Sequence, residues 1–142
     1  MTHNQRKVFH MTDSPERIRK RPRSPDLQVY RPTLSMTMSI FHRITGATLY
    51  FGAALFVWWL AATAVSPSAY VLQQRFMSSV PGLIFLFGFT WAILHHALGG
   101  MRHIIWDMGW AHSYPWREYL SLATILGSLS GTVVLWVIGY LM

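Results

Sequence analysis

Three long apolar segments, about residues 36–65, 80–108 and 118–141, are separated by the breaks Ser66-Pro67-Ser68 and Ser113-Tyr114-Pro115. Each exceeds the roughly 20 helical residues that a hydrocarbon core requires. Lipid offers no hydrogen bonds to backbone amides, so such segments cross it as helices or as closed barrels. Continuous apolar runs of this length predict an all-α integral membrane protein with three transmembrane helices. Only 12% of the 142 residues are charged, and most of the net charge of +7 lies before the first segment.

Residues 1–35 form a basic, extended N-terminal arm in this reading, and residues 36–142 a transmembrane anchor domain. The arm carries Arg6, Lys7, Arg17, Arg19, Lys20, Arg21, Arg23 and Arg31, and Pro15, Pro22, Pro25 and Pro32 oppose a continuous helix in it. Its charge suits anionic headgroups or a soluble partner at the membrane. Nucleic acid is excluded as a partner, because aromatics do not interleave with the basic run. The positive-inside bias places the amino terminus and the second loop on the cytoplasmic or matrix side. The short arm favours a bacterial inner membrane, with the mitochondrial inner membrane as the alternative.

The chemistry available to the chain alone is narrow. There is no cysteine, which excludes a protein-ligated iron–sulfur cluster and covalent haem attachment. The five acidic residues, Asp13, Glu16, Asp26, Asp107 and Glu118, offer no adjacent carboxylate pair for hydrolysis, and no glycine-rich phosphate loop is present. The chain reads as a subunit, non-catalytic alone.

Polar residues inside the apolar runs are the candidates for function, because a charge at a helix centre costs roughly 2.5–3.5 kcal/mol in lipid. The second segment contains His95, His96, Arg102 and His103. His96, Gly100 and His103 fall at i, i+4 and i+7 and share one helix face, while His95 points about 100° away from His96. Gly99 and Gly100 leave space for a neighbouring helix or a flat macrocycle. The first segment carries Ser39, His42 and Arg43, with Ser39 and Arg43 at i, i+4. Antiparallel crossing brings His42, Arg43, Arg102, His103 and Asp107 to one depth. Two readings stand for these groups: His96 as a haem ligand or as an interhelical hydrogen bonder, Arg43 and Arg102 as site cations or as side chains snorkelling to headgroups, Ser39 as a site donor or as bonded back to its own helix. Gly127 and Gly131 suit helix packing in the third segment, as does Trp136.

Three ordered motifs resemble one known family. Arg21-Pro22-Arg23-Ser24-Pro25-Asp26-Leu27-Gln28-Val29-Tyr30 is similar to R-P-x-S-P-x-L-x-x-Y, residues 39–46 to S-I-x-H-R-x-[ST]-G, and residues 96–107 to H-x-x-x-G-x-R-H-x-x-x-D. These resemble the cytochrome b membrane-anchor (C) subunit of succinate dehydrogenase, respiratory complex II; Arg23 and Asp26 depart from the Leu and His common there. The resemblance implies one haem b, with His96 as an axial iron ligand and the second ligand from a partner anchor subunit. It implies ubiquinone binding at Ser39, Ile40 and Arg43, and haem propionates near His42, Arg43 and His103. Arg102 and Asp107 are expected as an ion-paired layer behind them. Iron–sulfur and flavoprotein subunits are the implied partners, carrying electrons from succinate to quinone. The alternatives are the anchor of a quinol:fumarate reductase and a haem-less structural adaptor.

Overall fold

The structure, a computed structural model, describes residues 31–142. The basic arm lies outside the described residues except for its last few positions. Four helices follow: α1 (Leu34–Val65), α2 (Pro67–Met77), α3 (Val80–Asp107) and α4 (Trp116–Leu141). Three of them, α1, α3 and α4, are long and apolar enough to cross a membrane. The fold class is therefore the expected one. At 32 residues, α1 extends about 48 Å, well beyond a hydrocarbon core of about 30 Å, so it tilts or reaches into the headgroups.

Helix α2 stands where the sequence suggested only a break. Ser66 is extended and ends α1, and its hydroxyl oxygen then accepts the Ala69 N–H at 3.2 Å, with Pro67 in the first turn of α2. A serine cap followed by proline both stops one helix and starts the next. Ser79 repeats the device for α3, accepting from the Gly82 N–H. At the other end of α3, Gly109 has φ 83°, its N–H donates to the Trp106 carbonyl, and the Trp110 N–H donates to the Ile105 carbonyl. This is the Schellman arrangement, which needs a left-handed residue and so favours glycine.

Packing is inverted relative to a soluble protein. Among the described residues the buried set includes only three hydrophobic side chains, Met38, Ala62 and Ala92, whereas Thr45, Gln73, His95, Arg102, Ser121, Thr124, Ser128 and Thr132 are buried polar groups. Large apolar side chains such as Phe51, Leu126 and Val133 face outward. With lipid as the outer solvent, burying Leu gains little, and small polar residues let backbones approach. Ser121, Thr124, Ser128 and Thr132 form one face of α4, and each donates its hydroxyl to a carbonyl one turn earlier. Cβ atoms placed on Gly127 and Gly131 would lie 3.1 and 3.2 Å from Leu98 and Leu94 of α3. Trp136 packs on Phe87 and donates to the Thr90 hydroxyl at 3.3 Å. Helix α3 thus packs against α1 on one flank and α4 on the other.

At the turn into α3 the obstruction is backbone. A Cβ on Gly82 would lie 2.3 Å from the Phe76 carbonyl oxygen and 2.8 Å from the Met77 Cα, both backbone atoms. Gly82→Ala should cost about 1–3 kcal/mol and lower the thermal unfolding midpoint of the purified membrane complex; an unchanged midpoint would mean that the turn yields freely.

Candidate functional site

The site lies where α1 crosses α3, and reciprocal glycines make the crossing close. The His42 imidazole of α1 lies over Gly99 of α3, where a Cβ would come within 2.6 Å of its Nδ1. The His96 imidazole of α3 lies over Gly46 of α1, where a Cβ would come within 3.0 Å of its Cε1. The two rings stack with centroids 4.1 Å apart and planes 6° from parallel. His103, two turns beyond His96, places its ring 5.2 Å from that of His42 and edge-on to Trp106.

The hydrogen bonds of His96 determine what the ring can do. Its Nδ1 lies 3.2 Å from the His42 backbone oxygen and 3.4 Å from the Thr45 hydroxyl. A carbonyl can only accept, so Nδ1 carries the proton in this bond. Thr45 gives its own proton to the carbonyls of Phe41 and His42, at 2.9 and 3.0 Å, and so also accepts. The lone pair then sits on Nε2, which makes no hydrogen bond among the described residues. A ring fixed by Nδ1–H to a carbonyl, with Nε2 bare, is the usual state of a metal-ligating histidine. A Cβ on Gly100 would meet nothing within 4 Å, which leaves room on the same face. The Nδ1 of His42 is buried without a hydrogen-bond partner among the described residues. These features fit an iron-bound planar group approached from this chain by one histidine. Among the described residues no three His, Cys, Asp or Glu side chains form a metal cluster.

His95 turns the other way. Its Nδ1 is 3.1 Å from the Ser128 hydroxyl of α4, and its ring packs against Trp91 and Phe41. Because Ser128 donates to the Ile125 carbonyl, it accepts from His95. Adjacent histidines thus serve opposite neighbours, as a 100° step requires.

The remaining expected residues divide between faces. Ser39 is half-buried, and its hydroxyl makes no hydrogen bond among the described residues, whereas Thr37, Thr45, Thr48 and Thr63 of the same helix all bond back to carbonyls. Ile40 is exposed, and so is Arg43, which has no partner among the described residues. Ser39 and Arg43 share one face, with His42 and Ile40 on its two sides. Arg102 does not join this group. It is buried against α4, with Nη1 3.4 Å from the Ser121 hydroxyl. Asp107 is exposed, and no ion pair joins it to Arg102. The five-residue convergence expected near one surface is thus a three-imidazole cluster, with Arg102 displaced because i+6 from His96 falls on another face. Thr45 and Gly46 are the last two positions of the 39–46 motif, and the sequence assigned them no part in the site; their signal was spacing, at i+3 and i+4 from His42.

Comparison with known proteins matches residues 17–138 to the succinate dehydrogenase/fumarate reductase transmembrane subunit family. The chain is 41% identical over 109 residues to the succinate dehydrogenase cytochrome b556 subunit of Paracoccus denitrificans, covering 77% of this chain and 84% of the relative. It is 34% identical over 128 residues to the protein of the same name from Rickettsia conorii, covering 89% and 100%. The mitochondrial succinate dehydrogenase cytochrome b560 subunit of Sus scrofa is 37% identical over 100 residues, covering 67% and 57%.

The glycine contacts predict an order of sensitivity. Gly99→Ala should lower the thermal midpoint of the complex most and Gly46→Ala less, while Gly139→Ala, with open space around it, should leave it near the parent value. A series in which Gly139→Ala is the worst would contradict the crossing described.

Proposed function

The chain belongs to the succinate dehydrogenase/fumarate reductase transmembrane subunit family, and from that premise we propose that it holds one side of a haem b and part of a ubiquinone-reduction site. It is a multi-pass membrane protein and the membrane-anchor cytochrome b of complex II, which also contains flavoprotein and iron–sulfur subunits. The observation that carries the proposal is the His96 ring, fixed at Nδ1 by the His42 carbonyl and bare at Nε2.

In this reading His96 would hold the haem iron from this chain and a second anchor subunit would supply the other protein ligand. Held between two histidines, the haem would accept and release single electrons and would disfavour oxygen chemistry. His42 and His103, on the same side of the crossing, are the donors for the propionates, with Arg43 as the adjacent cation. The unoccupied hydroxyl of Ser39 is free to donate to a quinone carbonyl, since no backbone carbonyl claims it. Arg43, one turn further, stabilises the negative charge that builds on that oxygen as electrons arrive from the iron–sulfur subunit. Exposed Ile40 gives the ring an apolar contact. Asp107, exposed and unpaired with Arg102, is left out of the site. The positive-inside bias supports a cytoplasmic amino terminus in a bacterial inner membrane, with the quinone residues near that surface.

Two experiments test this. In the assembled complex, His96→Ala should abolish the b-type α-band of the dithionite-reduced minus oxidised spectrum; a band of parent intensity would remove His96 as a ligand. Ser39→Ala should reduce succinate-to-quinone turnover about tenfold, the equivalent of one hydrogen bond of about 1.4 kcal/mol. Arg43→Gln should reduce it by on the order of a hundredfold. Succinate oxidation with a soluble dye acceptor should stay at the parent rate in both, and a loss there would point to failed assembly.

A further inference from the structure

Arg102 is the most conspicuous group that the proposed site leaves unused. It is 2% exposed, and among the described residues its Nε and Nη2 have no hydrogen-bond partner and its only polar contact is the neutral Ser121 hydroxyl. The guanidinium carbon lies 5.0 Å from the centre of the Trp106 ring, which attracts the cation without cancelling its charge. The described residues include two carboxylates. Asp107 is exposed and unpaired with Arg102, and Glu118 pairs with Arg117 at 3.5 Å. A buried cation without a counter-ion is costly, and removing it for an apolar residue would stabilise most folds. Its retention here points to a use for the charge itself.

Arg102 is six residues beyond His96 on α3, about 9 Å along the axis, on the flank that faces α4. It therefore lies off the face of the histidine cluster, and no hydrogen bond joins it to His96 or His42. We propose that Arg102 acts through its uncompensated field, raising the reduction potential of the redox group held at His96. The inference rests on the haem reading above. A one-electron reduction leaves that site one charge more negative, so a fixed positive charge nearby favours the reduced side. Burial keeps the field strong, because a low-dielectric interior and the lack of mobile salt screen it weakly. Ser121 is the natural acceptor for Arg102, since its own proton is committed to the Arg117 carbonyl at 3.0 Å.

The test is a potentiometric titration of the b-type band in the intact membrane complex, comparing the parent with four variants. Arg102→Gln removes the charge, and Ser121→Asp sets a counter-ion beside it; both should lower the midpoint. Arg102→Lys keeps the charge and Ser121→Asn the neutrality, and both should stay near the parent. An unchanged midpoint in Arg102→Gln overturns the inference, as does Arg102→Lys shifted as far as Arg102→Gln, which would mark a packing role. If Arg102→Gln does not assemble, Ser121→Asp decides, and a parent midpoint there is fatal. A parent complex without any b-type band would overturn the haem reading and this inference together, whereas a band that ignores all four variants overturns this inference alone.

Discussion

Everything in this structure depends on lipid as the outer solvent, which makes a hydrogen bond given up inside the bundle irreplaceable. Serine and threonine meet the constraint locally by donating to carbonyls one turn back, as Thr45, Ser121, Thr124 and Thr132 do. That choice has a second effect. Once a hydroxyl has given its proton away, its oxygen is left as a pure acceptor, and imidazole or guanidinium donors from α3 are drawn to it. Thr45 receives His96, Ser128 receives His95 and Ser121 receives Arg102. Side chains that look like routine helix packing therefore determine which nitrogen of each histidine carries a proton.

The α1–α3 crossing shows why geometry and chemistry cannot be separated here. Gly99 and Gly46 are the price of seating two imidazoles face to face between backbones, and either methyl group would force a ring aside. The close approach also brings the His42 carbonyl within reach of His96 even though that carbonyl belongs to α1. A residue such as Thr45, already bonded to the same turn, reinforces the arrangement from below. Orientation of the ring is thus a property of two helices, not of His96 alone.

The three spans and the polar residues within them were legible because length, apolarity and spacing are properties of one helix at a time. The resemblance to a haem-bearing anchor likewise rested on local strings, residues 39–46 and 96–107. What escaped was decided between helices. Helix α2 was hidden because Ser66-Pro67 reads as a stop, although the same pair is a helix start. Arg102 was grouped with His103 by proximity in sequence, yet one residue's rotation turns it to α4, where nothing charged awaits it. The acceptors Thr45 and Ser128 carried no charge to mark them, and only the packing partner reveals their role. The arm that holds the first of the three motifs lies outside the described residues.

Helix α3 consequently has two working flanks separated by a single step of about 100°. His96, Gly99, Gly100 and His103 belong to the α1 side, where rings crowd and Nε2 stays bare. His95 and Arg102, seven residues apart, belong to the α4 side, where hydroxyls anchor them. A rotation of α3 that improved one flank would pull the other off its acceptors, because both are tied by hydrogen bonds of 3.1 to 3.4 Å. The helix is therefore held in rotation from both sides, and the direction of the His96 Nε2 lone pair depends on Ser128 and Ser121 of α4 as well as on the His42 carbonyl that accepts the Nδ1 proton. A helix bearing only the His96 flank could present the same residues, but nothing would hold it to one angle.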